Sequence, residues 1–231
     1  KYHKLDGRIA DTYARLTEAT NKNSLYDSYI KAYRWSTDSL DAKSGGIIAF
    51  VSNGAWLDGN SSEGLRKSLQ SEFSSIWVFN NRGNARTQGE LRQKEAGNVF
   101  GSGSRTPIAI TLLVKKPDSA DKPGVIHYHD IGDYLNREEK LALVKRFKSV
   151  SNPEIPWNDL QPNEHGDWLN ARNDVFGTFI PIGDKDNDSA KTFFLPFYSR
   201  GLATARDAWC YNSSRLKLAE GIHNFIDFYN K

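Results

Sequence analysis

The stretch Asn98–Lys116, NVFGSGSRTPIAITLLVKK, sets a phenylalanine and a Gly-Ser turn directly in front of a run of β-branched residues and leucines. Phosphate cradles built from backbone N–H groups lie between a strand and the start of a helix. Here the order is reversed. Ile108 to Val114 reads as a strand ended by two lysines and Pro117, and the glycines lead into it. The order argues against a nucleotide loop and makes this strand the reference for what surrounds it.

Upstream, Ser24 followed by Asp27 reads as a capping-box start. Leu25, Tyr26, Tyr29, Ile30 and Tyr33 form an apolar face, so a helix is expected from about Ser24 to Leu40. Gly45-Gly46 then introduces IIAFV, whose unbroken apolar character suits a strand covered on both faces, as in a parallel sheet. Asn60 and Glu63 cap the next helix, with Leu65, Leu69 and Phe73 on one stripe, and SIWVF (Ser75–Phe79) is the next strand. Helix, strand, helix, strand is the alternation of a layered α/β fold.

Between Asn80 and Pro107 five glycines and no sustained period mark a long loop, beyond the ~12–15 residues usual for a structureless connection. After the strand, KPDSADKPG reads as a linker over residues 117–124, dividing the chain into 1–116 and 125–231. VIHYH is then a strand, and Asn136 with Glu139 caps a helix carrying Leu141, Val144 and Phe147. Residues 151–173, with two tryptophans and three prolines, read as an irregular, aromatic-pinned segment. FGTFIPIG and TFFLPFY read as proline-broken strands, and a last helix starts near Arg215.

The 231 residues contain no methionine and begin at Lys1, which reads as a piece of a longer polypeptide. The single cysteine, Cys210, forms no internal disulfide, and no apolar run nears the ~18 residues of a membrane span. A reducing, cytoplasmic setting without membrane attachment is expected. Net charge is +3, too little to name a partner. Its distribution says more: from Asn80 to Thr106, Arg82, Arg86, Arg92, Lys94 and Arg105 stand against Glu90 and Glu95. Arg82, Arg86 and Arg105 are read as phosphate contacts on that local excess.

Other constellations weigh less. His127 and His129 share a strand face near Asp130 and Asp133, but a zinc site wants further ligands and none is visible nearby. DKDNDS from Asp184 imitates a calcium loop, yet Ser189 stands where the sharp turn needs Gly and Leu195 where a bidentate Glu belongs. No nucleophile elbow appears, and Cys210 reads as a buried structural thiol. Trp157, Trp168, Trp209, Tyr198 and Tyr211 interleave with Arg172, Arg200, Arg206 and Arg215, a pattern open to base stacking or to core packing.

LYDSYIKAYRWSTDSL, GGIIAFVSNGAWLDG, GLRKSLQSEFSSIWVFNNRGNAR and KEAGNVFGSGSRTPIAITLLVKK together resemble the downstream part of the catalytic domain of DNA adenine methyltransferases. The resemblance is in particular to the methyltransferase region of single-chain type ISP restriction-modification enzymes, large polypeptides that also carry a nuclease and a helicase-like motor. HYHDIGDYLNREEKL, HGDWLNAR, PIGDK and GLATARDAWCYN extend it over nearly the whole chain.

The resemblance implies the C-terminal part of a Rossmann-like methyltransferase sheet, followed by a mixed α+β segment that begins a target-recognition region. It implies double-stranded DNA and the remaining domains of the parent as partners, and S-adenosylmethionine as the parent's cofactor. The family's cofactor glycines and its Asn/Asp-Pro-Pro-aromatic motif are not in this sequence, so no residue here is assigned to methyl transfer. A base inside a duplex must be extruded to meet the methyl donor. The motif match puts Phe100 at the family's aromatic position that packs on the flipped adenine; a core phenylalanine anchoring the loop is the alternative. A different class of function, a non-catalytic DNA-binding or interaction module, also stays open at this point.

Overall fold

The computed structural model describes residues 2–41, 43–101, 103–117, 122–169, 174–184, 191–194, 204 and 207–230. Two compact units divide the chain, Lys1–Arg172 and Asn173–Lys231.

The first unit is built on strand β3 (Ile108–Lys115), which runs antiparallel to β1 (Gly46–Asn53) on one side and to β2 (Ser75–Asn80) on the other. β4 (Val125–Asp130) lies parallel to β2, and β5 (Asn158–Leu160) pairs antiparallel with β4, giving the order β1-β3-β2-β4-β5. Thr111 in mid-β3 faces Phe50 and Val78, which fixes the register on both sides. The sheet is mixed, and the expected parallel setting of IIAFV does not hold. β1 is an antiparallel edge strand, with Ile48 at 7% exposure but Ile47 at 64% and Val51 at 57%. A continuous apolar run reports what side chains are able to bury, not how strands pair.

Alternation along the strands sends Ile76, Val78 and Ile126 to one face. There they meet α1 (His3–Ile9, continued by a π-helical turn Ala10–Ala14), α2 (Ser28–Ser39) and α3 (Glu63–Glu72) through Ile9, Tyr33 and Leu69. Phe79 points to the other face, against Phe147 and Val144 of α5 (Arg137–Phe147) and Ile155. The result is a three-layer α/β unit. α3 crosses the π-helical turn at Gly64, where a Cβ would stand 1.8 Å from the Tyr13 carbonyl oxygen, so only glycine permits the approach.

Caps follow the sequence at one helix and not at another. At α5 the capping box is formed: Asn136 Oδ1 accepts the Glu139 N–H at 3.0 Å and Glu139 Oε2 accepts the Asn136 N–H at 2.8 Å. The Ser24–Asp27 box is not. Asn23–Tyr26 is a separate 3-10 turn, α2 starts at Ser28, and Ser24 Oγ instead bonds Ser61 Oγ at 2.6 Å. Nor does Asn60 cap: Asn60–Ser62 is a 3-10 turn, and the Glu63 carboxylate accepts the Glu18 N–H at 3.1 Å.

The segment 117–124 does not separate compact units. β4, immediately after it, adds to the same sheet, and the Gly124 N–H bonds the Gln70 carbonyl at 2.7 Å. Composition rich in Pro, Gly and Asp does not by itself tell a linker between units from a connection between two strands of one sheet.

In the second unit, Asp174–Thr178 is a 3-10 helix where FGTFIPIG suggested a strand. Pro181 lacks the N–H a ladder needs, although Phe193 and Phe194 donate to the carbonyls of Pro181 and Ile182. Residues 195–198 of TFFLPFY lie outside the described residues. α6 (Asp207–Cys210) and α7 (Arg215–Tyr229) follow, joined by Trp209 against Phe225 at 5.6 Å. Cys210, expected to be buried, is half-exposed at the end of this short helix. Among the described residues no helix is long and apolar enough to cross a membrane.

Candidate nucleic-acid interface

β1 and β2 both run antiparallel to β3 and β4 runs parallel to β2, so Asn53, Asn80 and Asp130 end three strands at one edge of the sheet. Ligands of open α/β sheets bind outside the carboxyl ends of the strands. At this edge lies the loop from Asn80 to Pro107. It is not structureless: α4 (Gly89–Glu95) occupies its middle.

Asn98 organises the loop. Its Nδ2 donates to the carbonyls of Gly83 (3.1 Å) and Thr106 (2.8 Å), tying both arms together, while its Oδ1 accepts the Phe100 N–H at 3.0 Å. Two residues after this hub, Phe100 is 60% exposed, outside the core of this unit. Gly101 and Gly103 follow with φ of 75° and 103°, conformations that favour glycine. The ring is presented on a fastened turn.

The three arginines have different fates. Arg86 and Arg105 are exposed, and a bond of 3.0 Å from the Ala85 N–H to the Arg105 carbonyl brings the two stretches together. Arg82, read as a phosphate contact, is placed beside two carboxylates of the protein itself. Its Nε donates to Asp130 Oδ1 at 2.7 Å and its Nη1 pairs with Asp133. Asp130 also accepts from Tyr128 and from the Gly132 N–H. Local charge counting saw the loop's five cations but not the carboxylates that another strand brings to them.

The loop is fixed from below by α5 and the residues before it. The Gly97 N–H donates to the Leu135 carbonyl (3.3 Å) and the Tyr134 N–H to the Lys94 carbonyl (2.9 Å). Lys140 is fully buried and donates to the carbonyls of Glu95 (2.8 Å) and Gly97 (2.7 Å). Of the four non-glycine residues at positive φ among the described ones, three, Arg82, Ala96 and Tyr134 with φ of 54°, 45° and 65°, lie in this assembly; the fourth, Lys148, ends α5. Strain of this kind costs about 1–3 kcal/mol per residue and gathers where a site must be held in shape.

Burial pushes the Lys140 ammonium down to about 8, with Arg82 and Arg92 acting the same way and Glu95 and Asp130 against it. The unfolded chain keeps that proton up to the ordinary 10.5. From pH about 8 to about 10.5 the unfolded state therefore binds more protons, and the stability tied to Lys140 rises with pH across that window. A neutral amine still offers two N–H groups to two carbonyls. Urea unfolding of the chain should show it gaining stability relative to Lys140→Met between about pH 7.5 and 9.5; a flat or falling difference refutes the assignment.

The remaining candidates are mostly packing groups. His127 stacks on Trp77 at 3.8 Å and its Nδ1 bonds Asp159 at 2.5 Å; His129 sits against Phe79 at 4.8 Å. Among the described residues no three His, Cys, Asp or Glu side chains are placed to hold a metal ion. Trp168 packs on buried Trp56 at 5.2 Å as core and Trp157, partly buried, on Trp77 at 5.0 Å, whereas Trp209 and Tyr211 are exposed. Asp184 is described, but the rest of the calcium-like DKDNDS lies outside the described residues, as do Arg172, Tyr198, Arg200 and Arg206.

No protein-family model and no curated protein matches this chain. Solved structures do. A nuclease-deletion mutant of the Type ISP restriction-modification enzyme LlaGI, in complex with a DNA substrate mimic, is 41% identical with a TM-score of 0.79, over 96% of this chain and 17% of that one. The ATP-dependent Type ISP restriction-modification enzyme LlaBIII bound to DNA is 38% identical with a TM-score of 0.88, over 100% of this chain and 15% of that one. A DrdV–DNA complex is 32% identical with a TM-score of 0.84, over 100% and 22%. The chain thus matches, nearly end to end, a segment spanning 15–22% of these much longer neighbours.

Proposed function

We propose that this chain is a segment of a DNA-acting restriction-modification enzyme, and that its sheet-edge loop forms the target-base wall of an adenine methyltransferase region. The observation that carries the reading is Phe100, an exposed ring on a turn locked by Asn98. It supports stacking on a base extruded from double-stranded DNA.

The residues present do not by themselves fit S-adenosylmethionine. Asp130, the carboxylate ending β4, already serves Arg82, Tyr128 and Gly132. Cofactor binding and methyl transfer are therefore assigned to other residues of the parent. Residues 125–231 are proposed to begin the target-recognition region, β4 and α5 also supporting the loop.

In the intact parent, methyl transfer from labelled S-adenosylmethionine to adenine amino groups tests the reading. Replacing residues 84–105 by a short Gly-Ser linker should abolish transfer while calorimetric cofactor binding persists. A parent that binds DNA but transfers no methyl group sinks the reading and leaves the binding-module alternative standing.

Arg86 and Arg105 are proposed to meet phosphates. Arg86→Ala and Arg105→Ala should each lower the slope of log K against log salt by about 0.9. Arg82→Ala should leave the slope unchanged and lower stability instead, since its guanidinium serves Asp130 and Asp133. Equal slope changes for all three would contradict this division.

A further inference from the structure

Lys140 lies on α5, more than forty positions along the chain from Glu95 and Gly97, yet its amine ends on these two carbonyls that frame Ala96, at 2.8 Å and 2.7 Å. The first is the last carbonyl of α4, one of the orphan acceptors at a helix C-terminus that a cation satisfies. One turn earlier on the same helix, Arg137 Nε donates to the Val99 carbonyl at 3.1 Å, immediately before Phe100. Between the two, Gly97 approaches so closely that a Cβ would lie 2.6 Å from the Arg137 backbone nitrogen. Helix α5 therefore grips the chain on three successive levels, at Glu95, Gly97 and Val99, and the next residue is the exposed ring.

We propose that Lys140, assisted by Arg137, is a positioning residue that sets the Phe100 turn for base stacking, so that holding the extruded base depends on α5 as well as on the loop. The inference rests on the stacking reading of Phe100. Ala96 explains why a clamp is needed: its backbone, at φ 45° and ψ −127°, is one that an alanine keeps only under restraint. Without the two bonds from Lys140 the 95–99 chain is released to relax, and Phe100 moves with it.

The test uses the intact parent on two duplexes bearing its own recognition site. One is matched; in the other the target adenine stands opposite an abasic site, where extrusion costs little and stacking has less to add. Phe100→Ala, Lys140→Met and Arg137→Ala are compared by kcat/KM per folded molecule. Lys140→Met is expected to lose about tenfold on the matched duplex, at the low end of base–aromatic stacking, and far less on the abasic one. It should add no selective loss in a Phe100→Ala background, because both act through the same ring. Arg137→Ala, which removes an exposed contact and should fold whatever becomes of Lys140→Met, should show the same selectivity to a smaller extent. Equal losses on both duplexes for Lys140→Met and Arg137→Ala, with a selective loss for Phe100→Ala, overturn the clamp alone. A Phe100→Ala enzyme with no selective loss overturns the stacking reading and the clamp together.

Discussion

Replacing Arg66 by methionine is expected to cost about 3–5 kcal/mol of folding stability, the loss that follows when one partner of a buried, hydrogen-bonded ion pair is removed. Arg66 is fully buried in α3. Its Nε donates to the Gly166 carbonyl at 2.9 Å, Nη1 to those of Trp56 and Gly59 at 2.9 Å each, and Nη2 to Asp167 Oδ1 at 3.0 Å. One guanidinium thereby ties the turn after β1 to the segment after β5, with a helix between them. A methionine fills much of the volume but donates nothing, so the three carbonyls lose that donor and the Asp167 carboxylate loses its countercharge while 9% exposed. Arg66→Met combined with Asp167→Leu should recover part of the loss, since the buried charge goes with its partner. Urea unfolding of the three variants reads this directly; a single-variant loss below about 1 kcal/mol would show that solvent or repacking replaces the arginine.

Arg66 also marks where sequence reading stops. The stripe Leu65, Leu69 and Phe73 is correctly apolar and buried, and period alone finds it. Nothing in that period tells that the arginine beside Leu65 is as buried as the stripe, because its acceptors lie as far as 101 positions away. The same limit governs the candidate site. β3, β2 and the α5 cap were legible, each being a local pattern of side chains with a local structural answer. The pairing of β4 with β2, the carboxylates that capture Arg82 and the grip of α5 on residues 95–99 are all non-local, and no window of the sequence contains both halves of any of them. Asn98 is the exception that a closer reading reaches. An asparagine two residues before an exposed position, ahead of glycine, is the signature of a side-chain turn that accepts the i+2 N–H, which is the bond it makes to Phe100.

Phe100→Ala in the intact parent is expected to weaken target-base binding or methyl transfer by about 1–3 kcal/mol, the range of base–aromatic stacking, while leaving the melting temperature almost unmoved. The separation of the two observables follows from the fold. A buried phenylalanine cut to alanine costs about 3–5 kcal/mol of stability. Phe100 is 60% exposed, and the bond that its turn depends on runs from its backbone N–H to Asn98, which the substitution preserves. Phe100→Trp keeps a flat partner and should retain much of the activity; Phe100→Leu keeps apolar bulk without a ring face and should behave more like alanine. Asn98→Ala supplies the complementary case, since it leaves the ring but frees the Phe100 N–H and both arms of the loop at Gly83 and Thr106. That variant should lose activity comparably with Phe100→Ala and also lose stability. Were Phe100→Ala to lower the melting temperature sharply with normal turnover per folded molecule, the ring would be a packing group of the assembled parent and the target base would have to be met by another side chain at this edge of the sheet.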